Sequence, residues 1–287
     1  MKTKCRAFTL VEILVGAAVS SVIAVAIFAL MNAGMILSAK NLALNLTSNS
    51  MRSSLDRVEQ VVQMGDSMPA LIDTAGTTVG AGSAAGIKFD RFLGSPFVVT
   101  TTAGSIPSTA TTLTLTRSVH AVASPPAPQA GDIVRIATTA DTLRPQIQSV
   151  VAGTVDAQSH QAFTVTLTAP LGTTVTVLSG SILTAKTIRS AAFVVMPSNG
   201  RQELRYYDNF ATANLNNPAK YILVTDQMGV QSADTTPFSI VTNEGKPFVS
   251  FSLRVRSDKG AGIRAMQRDE FNSFSRTETL IRPKTIP

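Results

Sequence analysis

The chain has 287 residues, 44% of them apolar and only 15% charged, with a formal net charge of +7. This balance implies that part of the chain sits in lipid and that the rest can still build a core. One cysteine, Cys5, and two histidines, His120 and His160, exclude a disulfide framework and leave too few ligands for a conventional zinc site.

Residues 1–7, Met-Lys-Thr-Lys-Cys-Arg-Ala, form a short basic leader. Phe8 then opens Phe-Thr-Leu-Val-Glu-Ile-Leu-Val-Gly, and the apolar run continues to about Met31 with Glu12 as its only charge. The span is long enough to cross a bilayer, which takes roughly 20 apolar residues. Basic residues before it and none within it predict a cytoplasmic N-terminus. A secretory signal would be cut at small residues after its apolar core. Gly16-Ala17-Ala18 imitates such a site, but the run extends well past it, so the charge placement favours a cut before Phe8. Glu12 is the informative residue, because a carboxylate in an apolar span costs roughly 2.5–3.5 kcal/mol and marks a functional site. It lies one helical turn from Phe8, where a cut would create an ammonium. The helix dipole favours a carboxylate there, and that amine, or the amine of an adjacent copy, is a candidate partner. The competing reading is a signal anchor whose Glu12 snorkels to the interface.

Arg6-Ala7-Phe8-Thr9-Leu10-Val11-Glu12 resembles the processing site of type IV prepilins and type II secretion pseudopilins. The resemblance covers about the first 35 residues. It implies cleavage between Ala7 and Phe8 by the membrane prepilin peptidase, N-methylation of Phe8, and a docking role for Glu12. It also implies its partners: other pilin or pseudopilin subunits, the peptidase, the inner-membrane assembly platform and the lipid bilayer. The head would lie in the periplasm before the subunit enters an envelope or surface filament. Ala7 stands where the family usually has glycine, which implies slower processing. Many major pilins carry a proline in the first helix; its absence here points to a minor pilin or a pseudopilin.

The helical pattern continues past the apolar span. Leu44, Met51, Leu55, Val58 and Val62 form one stripe, with Ser48, Arg52, Arg57, Glu59 and Gln63 opposite. No proline occurs before Pro69, and Gly65 stands where a C-cap is expected. The expected helix therefore covers 8–65, with a membrane or filament-core half over 8–31 and an amphipathic half over 41–64. A two-stranded coiled coil is the competing use of that stripe.

From about Gly76 the composition shifts to Thr, Ser, Ala, Gly and Val, predicting a β-rich head over 76–287. Apolar residues alternate at Leu113 and Leu115, at Phe163, Val165 and Leu167, at Val175 and Val177, and at Phe193 and Val195 before Pro197. Ile133 and Ile136 follow a Gly131-Asp132 turn. Ser124-Pro125-Pro126-Ala127-Pro128 is expected to divide two groups of strands. Val249, Phe251, Leu253 and Val255 face one way and Ser250, Ser252, Arg254 and Arg256 the other, as in a half-buried antiparallel strand. Phe271–Arg282 returns after a Gly260-Ala261-Gly262 loop, similar to larger minor pilins of the W type and pseudopilins of the J type. The expected fold is α+β, a long helix packed on an antiparallel head in a lollipop.

His120 and His160 have no serine elbow or acidic partner at a recognisable spacing, so no hydrolytic triad is read. Gly80-Ala81-Gly82 lacks the lysine–serine pair of a phosphate loop. Asp208-Asn209 and Asn214 through Asn217 could offer oxygens to calcium, but their spacing is that of a turn cluster rather than an EF-hand. No cofactor or metal is expected. Without Lys2, Lys4 and Arg6 the charge falls to +4, and the segment from Arg254 to Lys284, with eight basic and four acidic residues, carries that excess. Arg254, Arg256, Lys259, Arg264 and Arg268 would suit nucleic-acid phosphates or an acidic neighbour. The solvent side of a strand is the preferred reading, because no aromatic platform interleaves with the arginines. The expected function is thus structural: a filament subunit of a type IV pilus, or a type II secretion pseudopilin. The rival from another class is a signal-anchored periplasmic enzyme or binding protein.

Overall fold

The computed structural model describes residues 9–94, 96–100, 104–119, 126–138, 142–177, 182–198, 201–228, 232–256 and 274–281. One unbroken α-helix, α1, runs from Leu10 to Gln63, 54 residues or about 81 Å. Its closing turn tightens: the Met64 amide donates to the Val61 carbonyl (3.2 Å) and Gly65 to Val62 (2.9 Å). Gly65 is not the left-handed cap expected of it. It forms a β-bridge with Arg91, so the helix ends by joining the sheet.

The chain divides into two compact units, one containing α1 up to Met51, the other spanning Arg52–Arg254 and the residues from Arg276. In the first unit, every large apolar side chain from Leu10 to Met31 is more than half exposed, among them Leu10, Phe28 and Leu30 at 77%, 71% and 74%. By length and hydropathy this stretch can cross a membrane.

In the second unit the last turns of α1 bury Val58, Val61 and Val62. Met51 and Leu55 are half-buried, and Leu44 is 45% exposed, so the expected stripe is buried only from Val58 onward. Arg57, assigned by periodicity to the polar face, places its guanidinium 5.7 Å from the Tyr206 ring centre, a cation–π contact.

Fifteen strands form one sheet among the described residues, and every pairing whose register is resolved is antiparallel. Its path runs from Ser83–Ala84 through Phe238–Asn243, Lys246–Arg256, Ile222–Met228, Arg201–Tyr207, Thr184–Ser198, Phe97–Thr100, Thr112–Ser118 and His160–Leu167 to Ile147–Val155. Phe274–Ile281 pairs with Lys246–Arg256, the return expected after the glycine loop. Ser105–Ile106 and Val175–Thr176 make a separate pair. The Pro125–Pro128 region does not divide two groups of strands. His160–Leu167, which follows it, pairs with Thr112–Ser118, which precedes it.

The 15-residue strand Thr184–Ser198 is the centre of the sheet, and Ala191–Met196 is buried without a gap. Burial on both faces removes the alternation that marks a one-sided strand. On one face Phe193 lies against Phe89 and Tyr206, with ring centres 6.1 and 4.8 Å away. On the other, Ala192, Val194 and Met196 pack with Ile72, Tyr207, Phe210 and Leu215. A further core gathers Phe97, Leu113, Leu115, Val134, Ile136, Ile147, Phe163 and Val165. There Val134 and Ile136 point inward, while Ile133 is only half-buried.

Candidate functional site

The site begins where α1 begins. Thr9 precedes the helix and Glu12 lies in its first turn, and the two cap each other. The Thr9 amide and hydroxyl both donate to Glu12 Oε2, at 2.9 and 3.1 Å, and the Glu12 amide donates to Thr9 Oγ1 at 3.3 Å. This is the reciprocal capping box of a Thr-x-x-Glu sequence, which satisfies amides that no helical carbonyl can reach. Sequence reasoning singled out Glu12 for an ammonium and missed Thr9, although the spacing that reveals the box was present. Ala7 and Phe8 lie outside the described residues.

Chemically, the box gives the carboxylate two donors from within its own chain. A cut between Ala7 and Phe8 leaves the Thr9 amide intact, since that amide belongs to the Phe8–Thr9 bond. The new ammonium would stand one residue upstream of the box. Both donors end on Oε2, and Oε1 takes none among the described residues. Farther along the span, Ser21 folds its hydroxyl back onto the Ala18 carbonyl at 2.7 Å, leaving an apolar helix surface.

Of the basic residues Arg254, Arg256, Lys259, Arg264 and Arg268, only Arg254 has its side chain described, and it pairs with the buried Asp234, Nε to Oδ1 3.6 Å. Ser250, Ser252 and Arg254 are half-buried, not fully solvent-facing. Arg256 has only its backbone described, and Lys259, Arg264 and Arg268 lie outside the described residues.

Sequence reasoning also missed a buried polar cluster inside the head. Arg189, with only 4% of its side chain exposed, makes a two-pronged pair with fully buried Asp132, at 2.7 and 2.8 Å. Its second nitrogen also donates to the Ala127 carbonyl, and Arg117 donates to that of Pro126, so two arginines hold the proline-rich segment. Asp208 receives Arg189, Arg91 and the Tyr206 hydroxyl. Of the oxygens that could serve calcium, those of Asp208 are engaged by guanidinium groups, and Asn217 Oδ1 accepts from the Ala219 amide as a turn cap. Burial lowers the Arg91 guanidinium below its ordinary value and raises the Tyr206 and Tyr207 phenols above theirs. Asp66, nearly buried, binds Arg135 and Arg144 just past the end of α1.

Among the described residues, no group of three or more His, Cys, Asp or Glu is placed to hold a metal. His160 meets Asp156 at 3.5 Å in a hairpin tip, and the His160 amide keeps the Asp156 carboxyl below its ordinary value. His120 lies outside the described residues.

Residues 2–28 match the family model for the prokaryotic N-terminal methylation motif. No curated protein and no solved structure matches the chain.

Proposed function

We propose that this chain, which begins with the class III signal segment of type IV prepilins and pseudopilins, is a low-copy structural subunit of a type IV pilus or related pseudopilus. The observation that carries the proposal is the methylation motif over residues 2–28 joined to a helix whose apolar surface from Leu10 to Met31 is uncovered. That surface needs lipid while the subunit is stored and neighbouring helices once it is assembled. The missing proline in α1 favours a minor pilin or pseudopilin over a major pilin.

In this reading the chain catalyses nothing and is itself a substrate. Prepilin peptidase cuts between Ala7 and Phe8, and Phe8 is methylated on its new amine. The subunit waits in the inner membrane with its head in the periplasm and the assembly platform beside it. The Thr9–Glu12 box lowers the cost of keeping a carboxylate in lipid. Docking adds a neighbour's ammonium to that carboxylate, an ion pair in a low-dielectric setting. No nucleic-acid role is assigned to the basic C-terminal residues Arg256, Lys259, Arg264 and Arg268.

Mass spectrometry of membrane fractions tests the processing. The mature chain should lack seven residues and begin with methylated Phe8. A leader retained in cells with an active peptidase would leave a signal anchor as the better reading. Glu12→Val tests the docking. The variant should insert and be cleaved normally but fail to reach sheared filaments. Filament entry equal to wild type would reduce Glu12 to a cap of its own helix.

A further inference from the structure

The sheet ends unequally. Ser83–Ala84, Thr142–Leu143 and Ala70–Ile72 are edges of two or three residues, and Phe274–Ile281 carries Arg276 and Glu278 in its sequence. Short or charged edges resist pairing with another chain. Ile147–Val155 is nine residues, Ile-Gln-Ser-Val-Val-Ala-Gly-Thr-Val, with neither a charge nor a proline. Its first residue is closed by Gly131 and Asp132, each bonded to Ile147 at 2.8 Å. From Gln148 onward the strand pairs only with His160–Leu167 among the described residues. Val151 and Val155 are 67% and 50% exposed. Register shifts flank Ser149–Ala152, so the regular part of this open edge is short.

We propose that this edge is self-pairing and joins two copies of the chain antiparallel about Val151. A two-fold axis normal to the sheet sets Val151 against Val151 of the second copy and Val150 against Ala152, all within the regular stretch. Backbone groups that face away from His160–Leu167 complete a ladder, and the two valines cover each other without opposing like charges. A charged foreign segment finds no complementary charge on this strand, whereas a second copy brings an equally uncharged one in a matching register. Thr164 and Thr166, opposite Val151 and Ser149 on the neighbouring strand, continue the uncharged face on either side of the axis. The pairing is independent of leader processing.

The test uses the full chain in detergent with Cys5→Ser as background. Val151→Cys should oxidise to a disulfide-linked dimer, because opposed residues bring their Cβ atoms within disulfide reach. Thr176→Cys, exposed in the separate two-stranded pair, should not. By light scattering, Val151→Lys should weaken dimerisation at least about tenfold through opposed ammonium groups, and Val151→Thr should preserve it. Circular dichroism confirms that each variant is folded. Three results overturn the proposal: a wild type monomeric at every concentration, equal crosslinking at Thr176, or association that Val151→Lys leaves unchanged. The last would assign the association to α1.

Discussion

At the scale of single residues, Thr9 and Glu12 divide one task. The hydroxyl of Thr9 supports the Glu12 amide, and the carboxylate of Glu12 supports the Thr9 amide. Thr9→Val removes the first bond and keeps the second, at a cost of about 1 kcal/mol. The Glu12 amide should then exchange about fivefold faster by NMR in micelles, while Thr9→Ser should match wild type. An unchanged rate in Thr9→Val would mean that the box does not hold the helix start. The Asp132–Arg189 pair works on a different balance, since each member justifies the burial of the other. Asp132→Ala leaves the buried Arg189 guanidinium with only Asp208, at 3.4 Å, as counter-charge and should cost about 3 kcal/mol in urea unfolding. Titration gives a third test. Burial raises both Tyr206 and Tyr207, so the folded head keeps protons that the unfolded chain would release. That stabilisation is complete below the unfolded value of about 10 and is lost as pH rises through the folded values. Thermal melts from pH 9 to 11 should show the midpoint falling, with phenolate absorbance from these two residues appearing with unfolding. The capping box was legible in the sequence, being local. The Asp132–Arg189–Asp208 cluster was not, because its members are brought together only by strand pairing.

At the scale of elements, legibility follows how many faces are buried. The helix and the strands around Leu113, Phe163 and Phe251 show their periods because one side meets solvent. Thr184–Ser198 hides its period because both sides are covered, and Ile147–Val155 offers little because most of it is exposed. Strand order is a long-range property that no local pattern carries. The amphipathic half of α1 was read as a stripe, yet burial ranks its members. Val58→Asp should cost about 3 kcal/mol or more and Leu55→Asp less, in that order by thermal unfolding. Equal effects would mean that the two positions meet the same surroundings. Gly86 is a closer constraint. A Cβ there would stand 2.4 Å from the Phe193 carbonyl oxygen, in backbone that cannot yield cheaply. Gly86→Ala should therefore destabilise the head by about 1–3 kcal/mol, read as a lower urea midpoint.

At the scale of the whole molecule, the apolar span and the folded sheet answer to different solvents. A fragment beginning near Asn41 loses the lipid-length run but keeps the buried turns around Val58 and Val62. It should be soluble, show a β-rich circular dichroism spectrum, and stay in the supernatant when sedimented with liposomes. The full chain should pellet with them. A fragment that aggregates would mean that the sheet depends on the removed segment.

The closing turn of α1 has a mechanical consequence. Gly65 bridges Arg91, the Asp66 amide donates to the Asp90 carbonyl at 2.7 Å, and the Asp66 carboxylate engages two arginines. Tension carried along the helix therefore reaches the head through Gly65 and Asp66 as well as through the buried Val58, Val61 and Val62. The Gly86–Phe92 strand receives it there and is registered over seven residue pairs with the sheet's longest strand. A tug on the helix is thus spread through a ladder of backbone hydrogen bonds rather than borne by one flexible joint.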